Sequence, residues 1–253
     1  MPDESPAFPP VAWGGPARPA TYTARTWFDV RIPMRDGITL SADVTRPAEA
    51  GPVPAIVIRT PYNKNHGLDV ARYYAGRGYA YVEVDVRGRG DSEGVFAPYR
   101  NDGIDGYDVI EWVAAQPWCD GNVGTLGGSY LGRIQWLTAL THPPHLRTMI
   151  ALVTPSDPDV ELPTGTSGAP MHLAWLHLVS GRLLQPADAV DWTAVYNHLP
   201  LRTMDEAAGR ISAQWREDVS HPTHDAYWEA ISYQNKFDRI DLPVGVSAPG
   251  LVS

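Results

Sequence analysis

Short β-branched runs and stretches of helical spacing alternate along this chain. Ala55-Ile56-Val57-Ile58-Arg59 and Ala80-Tyr81-Val82-Glu83-Val84-Asp85 are apolar runs ending in polar loops, which predicts two strands. Leu68 to Ala75 lies between them and reads as a helix, so the three segments make a βαβ unit. A second helix is predicted over Gly106 to Ala115, where Tyr107, Ile110, Trp112 and Val113 stand among polar residues. It leads through Pro117-Trp118-Cys119-Asp120-Gly121 into a strand over Asn122 to Leu126, followed by helical spacing from Tyr130 to Leu140 and a sixth strand over Thr148 to Val153. Trp27 to Ile32 and Thr39 to Val44, joined by Arg35-Asp36-Gly37, read as an antiparallel hairpin ahead of these units. Strands alternating with helices predict an α/β fold with a mostly parallel sheet. Ligands bind outside the carboxyl ends of such strands, where Tyr62, the loop from Arg87 to Gly94 and Ser129 all fall.

From Thr154 the chain changes character. Thr154-Pro155-Ser156-Asp157-Pro158-Asp159 is a proline-broken exit from a strand, and helix-like stretches follow over His172 to Ser180, Ala187 to Tyr196 and Ala226 to Tyr233. Asp157, Asp159 and Glu161 read as solvated loop carboxylates, the commoner use of such residues, with contact to a substrate ammonium the alternative. Met1 to Ala20 is proline-rich, without the basic and apolar regions of a signal peptide, and no segment approaches the length of a membrane span. The chain has 43% hydrophobic residues and nine tryptophans, which excludes a disordered reading. A net charge of −9 argues against general nucleic-acid or anionic-membrane binding. The single Cys119 forms no internal disulfide, and a cytoplasmic location is expected. No His/Cys cluster has metal spacing and no glycine-rich nucleotide fingerprint occurs, so neither metal nor cofactor is expected.

The candidate chemistry sits at Gly127-Gly128-Ser129-Tyr130-Leu131-Gly132, a serine between small residues where a strand gives way to a helix. That is how a nucleophile elbow reads: a strained turn that lifts the hydroxyl above the sheet, with glycines letting neighbouring backbone pass close by. The spacing is Gly-x-Ser-x-x-Gly, and Gly-Gly-Ser is also ordinary turn chemistry. Tyr62 likewise has two readings, an active-site hydroxyl or a loop tyrosine packed on the sheet.

Four ordered blocks resemble the CocE/NonD hydrolases, the relatives of cocaine esterase, Xaa-Pro dipeptidyl-peptidases and α-amino-acid ester hydrolases. They are Arg59 to Lys64, Asp85 to Gly94, Gln116 to Gly124 and Gly127 to Gly132, within a match running from about Trp27 to about Val244. The resemblance implies an α/β-hydrolase core, a helical cap inserted after the sixth strand, a C-terminal jelly-roll domain in most members, and acyl transfer through a Ser-His-Asp triad. On it, residues 1–23 form a flexible N-terminal arm, 24–154 the core, 155–238 the cap, and 239–253 the start of the seventh strand with an aberrant tail. It further implies Ser129 as nucleophile, with the Tyr130 backbone N–H and the Tyr62 hydroxyl as oxyanion donors. The expected substrate is a small-molecule ester, amide or peptide, and the expected partner is a second copy of the chain or a missing C-terminal half.

In that family the acid lies just past the seventh strand, often in a Gly-Trp-Tyr-Asp block, and the histidine later still. This chain reaches Ile240-Asp241-Leu242-Pro243-Val244 and then reads Gly245 to Ser253, small residues not expected to continue a strand. No triad Asp or His is identified in it. The last two core strands and the jelly-roll domain are therefore expected to be missing, a frameshifted tail being the preferred explanation and a natural short paralogue the alternative. The sixth strand should then show an unpaired edge. Two function classes follow: a serine hydrolase acting through an acyl-enzyme on Ser129, or a catalytically incomplete fragment or binding module. Among the histidines, His142 and His145 follow a helix that carries them about 18 Å from the serine end. His172 and His177 suit packing in the cap, and His198, His221 and His224 lie farther along it. His66, four residues past Tyr62, is the one alternative base. Asp85 and Asp91 are expected to hold the arginine-rich loop between them.

Overall fold

In the computed structural model, which describes residues 17–156 and 168–247, the strand-like runs assemble into one seven-stranded sheet of order β1-β2-β4-β3-β5-β6-β7. The strands are β1 (Ala24–Pro33), β2 (Thr39–Pro47), β3 (Val53–Thr60), β4 (Ala80–Asp85), β5 (Cys119–Gly128), β6 (Leu146–Leu152) and β7 (Val244–Ser247). β4, β3, β5, β6 and β7 are mutually parallel, while β2 joins both β1 and β4 antiparallel. The hairpin turn closes through the Gly37 N–H on the Met34 carbonyl at 3.0 Å. Gly37 takes φ 90° there, a conformation that a side chain would resist.

The helices packed on the sheet are α1 (Leu68–Ala75), α2 (Asp102–Ala114) and α3 (Tyr130–Ala139). β4 is buried along its whole length because both of its faces are covered. Ala80, Val82 and Val84 join Val57, Val123 and Met149 and the α2 residues Val109, Ile110 and Val113 in the main core. Tyr81 on the other face packs with Ile58 and Ala71 of α1. Each fully buried aliphatic side chain of this kind contributes about 1.5–3 kcal/mol. α2 begins four residues before the expected Gly106 because its first-turn acids are buried with partners: Asp102 against Arg59 and Asp105 against Arg87.

Between β6 and β7 run α4 (Gly168–Leu178), α5 (Trp192–Tyr196), α6 (Met204–Ala207), α7 (Ala213–Asp218) and α8 (Ala226–Glu229). Two expected helices are shorter than predicted. Ala187 to Tyr196 breaks into a single turn at Ala187–Ala189 and α5, because the Asp191 side chain accepts the Ala194 N–H at 3.1 Å and restarts the helix. The helix expected to reach Tyr233 stops at Glu229. Leu173, Leu176, Val195, Met204 and Trp215 give these helices their own apolar cluster. Among the described residues no helix is long and apolar enough to cross a membrane. Asp157, Asp159 and Glu161, most of the N-terminal arm and the tail beyond Ser247 lie outside the described residues.

Two expectations are corrected here. The small residues after Val244 do continue a strand, and β6 is consequently not an open edge. Met149, Ile150, Ala151 and Leu152 pair with Val244, Gly245, Val246 and Ser247. Gly245 and Ser247, poor strand formers, join Val244 and Val246 in the strand because β6 offers a ready ladder, which outweighs their intrinsic preference. Deleting residues 244–253 should uncover that ladder and cost about 1–3 kcal/mol. A lower melting temperature and stronger binding of a hydrophobic dye are expected, and an unchanged melt would show that β7 adds nothing.

Candidate active site

β5 ends at Gly128 and α3 starts at Tyr130, so a single residue makes the turn. That residue, Ser129, is exposed and held at φ 55°, ψ −124°, a strained conformation for a side-chain-bearing residue. Two backbone bonds hold it there. The Ser129 N–H donates to the Leu152 carbonyl of β6 at 2.9 Å, and the Ser129 carbonyl accepts the Arg133 N–H at 3.0 Å. The flanking glycines are needed for space. A Cβ on Gly127 would stand 2.5 Å from Leu131 Cβ, and one on Gly132 would stand 2.1 Å from Thr154 Cγ2 and 3.0 Å from the Gly127 and Leu152 carbonyl oxygens. Gly132 thus lets α3 seat on the ends of β5 and β6, the physical reason for a glycine three places after the serine.

The Tyr130 side chain points into the protein, 2% exposed. Its hydroxyl donates to Asp102 Oδ2 at 2.6 Å, and its ring stacks on Tyr99 (centroids 4.6 Å apart) and Trp175 (5.6 Å). Burial and the neighbouring Asp102 hold the Tyr130 hydroxyl well above its ordinary pKa, so it stays neutral. Burial likewise raises Asp102, against the pull of Arg59 and Tyr130. Arg59 lies 3.5 Å from Asp102 Oδ1 and donates to the Asp102 carbonyl at 2.7 Å and to Thr138 Oγ1 at 2.6 Å. With its side chain anchored, Tyr130 presents its backbone N–H at the first position of α3. No carbonyl within the helix can accept that group, and the helix dipole is positive there.

Tyr62 is half-buried on the loop after β3, its N–H bonded to Thr60 Oγ1 at 3.0 Å. Its hydroxyl oxygen accepts the Trp175 indole N–H at 3.0 Å, and its ring packs on the cluster that contains Tyr130. Trp175 of α4 therefore touches both expected oxyanion donors' residues. In the sequence it is one more apolar residue among Met171, Leu173, Leu176 and Leu178, with the pattern of core. The only signal was an indole N–H in an apolar helix, which must find a partner when buried. Arg89, also buried, ties this loop to the inserted helices by donating to the Pro61 carbonyl at 2.8 Å and the Val179 carbonyl at 2.7 Å.

No histidine ring among the described residues hydrogen-bonds Ser129. His66 is exposed. His145 bonds Glu111 at 2.7 Å, His172 bonds Asp218 at 2.8 Å, His198 bonds Thr203 at 2.8 Å, His221 bonds Asp225 at 2.6 Å and His224 bonds Glu229 at 3.1 Å. His177 packs edge-on against Trp192. Asp85 and Asp91 do hold their loop, though chiefly through Lys64. Asp85 accepts the Lys64 backbone N–H at 2.9 Å, and Asp91 meets Lys64 Nζ at 2.9 Å. Among the described residues no group of three or more His, Cys, Asp or Glu side chains is placed to hold a metal. A cavity of about 550 Å³ lies beyond Phe96, lined by Leu176, Val179 and Arg182, but neither Ser129 nor Tyr62 lines it.

The sheet order and a strained serine between a parallel strand and a helix are those of the α/β-hydrolase class. The sequence profile of the X-Pro dipeptidyl-peptidase (S15) family matches residues 36–250, and the chain belongs to that family. It is 32% identical to cocaine esterase of Rhodococcus sp. (strain MB1 Bresler) over 257 aligned residues, covering 89% of this chain and 42% of the esterase. Among solved structures, a CocE/NonD family hydrolase from Staphylococcus aureus matches with TM-score 0.66 and 25% identity, covering 86% of this chain and 39% of that one. An α-amino acid ester hydrolase shares the fold with TM-score 0.74 at 24% identity, covering 96% and 45%. The chain thus spans less than half the length of each of these relatives.

Two substitutions test the geometry. Gly132→Ala should destabilise by about 1–3 kcal/mol, and adding Thr154→Ser should restore part of the loss. Additive effects in the double-mutant cycle would show that the Thr154 methyl is not the obstacle. Asp102→Ala should cost about 3–5 kcal/mol in urea unfolding, because Arg59 would be left buried without its carboxylate. A loss below about 1 kcal/mol would remove that pair from the account.

Proposed function

We propose that Ser129 is the nucleophile of an acyl transfer to water, cleaving an ester or an amide, X-Pro peptide bonds included. The observation that carries this reading is the backbone of Ser129, exposed yet held at φ 55° between β5 and α3. Strain of about 1–3 kcal/mol persists where surrounding structure enforces it, and here it aims a hydroxyl. In the proposed reaction the Ser129 oxygen attacks the carbonyl carbon as its proton passes to a base. The resulting oxyanion accepts the Tyr130 N–H and the Tyr62 O–H, collapse expels the alcohol or amine, and water then releases the acid from the serine. Trp175 supports the role of Tyr62. An indole N–H donated into the phenol oxygen polarises the phenol and makes it the stronger donor.

The base and its orienting acid are supplied from outside the described residues, since no described histidine hydrogen-bonds Ser129. A triad enzyme lacking its base keeps about a thousandfold of its acceleration through oxyanion donors and binding alone. The 253-residue chain should therefore hydrolyse p-nitrophenyl acetate very slowly, with Ser129→Ala changing the rate by less than about tenfold. Joining it to a segment that carries the family's acid and histidine should raise turnover by about 10³ or more, and Ser129→Ala should then abolish the gain. In that joined protein Tyr62→Phe should lower kcat by about 10²–10³. A gain that survives Ser129→Ala would overturn the assignment. Strong Ser129-dependent turnover by the chain alone would place the base within it, with His66 the first residue to replace.

A further inference from the structure

On the sheet face covered by α1, β2 and β4 place two acids directly opposite each other. Asp43 pairs with Glu83, and two residues along each strand Thr45 pairs with Tyr81. Like charges so opposed destabilise a sheet. Both acids are also buried, each 8% exposed. Lys64 answers part of this charge, its Nζ 2.9 Å from Asp91, 3.6 Å from Asp43 and 4.0 Å from Asp85. One ammonium serves Asp43, Asp85 and Asp91, so it leaves none over for Glu83.

Glu83 differs from the other three. Among the described residues its carboxylate has neither a hydrogen bond nor an ion pair, although it is buried and lines a cavity of about 150 Å³. Gly67 is pressed against it so closely that a Cβ there would meet Glu83 Oε2 at 1.9 Å. Asp43 lines the cavity beside Glu83, Lys64, Thr45 and Asn65 complete its polar wall with the Lys64 ammonium already turned to Asp91 and Asp43, and Phe28, Leu68, Ala71 and Tyr81 supply apolar wall. At about 30 Å³ per water the space equals about five waters. A hydrated metal ion suits it poorly, because hard cations require six or more oxygen ligands.

We propose that this cavity binds a small organic ammonium ion, its charged head on Glu83 and Asp43 and its short alkyl body against Phe28, Leu68, Ala71 and Tyr81. Such a head has three N–H donors, enough to bond both opposed carboxylates at once, and the faces of Phe28 and Tyr81 attract a cation as well. Burial first, then Asp43 and Asp85, push the Glu83 carboxyl up to about 8 against the opposing effect of Lys64. In the empty site Glu83 is therefore mostly protonated at pH 7, and the ammonium displaces that proton. The other groups facing it are Asp43 from β2, Tyr81 and Asp85 from β4, and Lys64. Tyr81 is raised by burial and stays neutral throughout. For Lys64, burial works downward but the hydrogen bond to Asp91 and the fields of Asp43 and Asp85 outweigh it, so it stays charged.

Calorimetric titration of the full chain with n-butylammonium chloride, at fixed ionic strength, tests this. n-Butylammonium should bind at least about tenfold more tightly than n-butanol or potassium ion. Its affinity should rise about tenfold from pH 6 to pH 7, with a buffer-dependent heat that reports release of one proton. Glu83→Gln has the same shape and removes the opposed charge, so it should melt no lower than the parent chain while losing tenfold or more in affinity. Equal binding of n-butanol would reduce the site to an apolar hole, and equal binding of potassium would make it an inorganic cation site. Unchanged binding by Glu83→Gln, or no binding by the parent chain, would equally overturn the proposal.

Discussion

The buried pair of Arg59 and Asp102 is the constraint from which the rest of the site hangs. Arg59 closes β3 and Asp102 opens α2, so their contact fixes where a strand stops and a helix begins. Arg59 also reaches the Ile134 carbonyl and Thr138 Oγ1 of α3, so it threads between the two helices. They pass so close that a Cβ on Gly106 would stand 2.0 Å from Thr138 Oγ1 and 2.6 Å from Arg59 Nη2. A buried ion pair is not in itself stabilising relative to apolar packing. What it provides here is position: Tyr62 follows Arg59 by three residues, and the Tyr130 hydroxyl ends on Asp102.

A second layer of contacts ties that core to the inserted helices. Arg89 holds the Pro61 and Val179 carbonyls together, the Trp175 indole reaches Tyr62, and the rings of Tyr130, Tyr99 and Trp175 stack on one another. The inserted helices therefore complete the wall around Tyr62 rather than merely standing over the sheet. Since the guanidinium of Arg89 is buried over the Phe96 ring and hydrogen-bonds carbonyl oxygens, displacing α4 would take away the Val179 carbonyl, and the lost bond opposes loosening of the helices.

Features fixed by neighbours in sequence are legible in the chain itself. The run of β4, the span of α1, the hairpin around Gly37 and the turn at Ser129 each follow from spacing and glycine placement within about ten residues. Features fixed by partners far along the chain are not. Gly245 and Ser247 look like loop, and only the register with Ile150 and Leu152 makes them strand. Lys64 looks like a surface residue, and only the convergence of Asp43, Asp85 and Asp91 buries it. Trp175 looks like core until its N–H is seen on a hydroxyl that lies 113 positions earlier. The opposed acids Asp43 and Glu83 are invisible for the same reason, since a strand register is needed to set them face to face.

In the proposed reaction the elbow residues serve structure and chemistry at once. Tyr130 is 2% exposed, its hydroxyl bonded to Asp102 and its ring stacked on Tyr99 and Trp175. An oxyanion donor must be rigid before the charge develops, because reorganising it during reaction would consume the stabilisation it offers. A backbone N–H gains that rigidity when the side chain of its own residue is locked, and the Asp102 bond and the two stacked rings supply the lock. In the proposed reaction Tyr62 would reach the same end differently, through an indole N–H that fixes its oxygen. The glycines do the complementary work: by omitting side chains at Gly127 and Gly132 the chain brings β5, β6 and α3 close enough for the Leu152 carbonyl to hold the Ser129 N–H. Strain at the serine is thus set against bonds on both sides of the turn, and the Gly-x-Ser-x-x-Gly spacing follows from where α3 crosses Thr154.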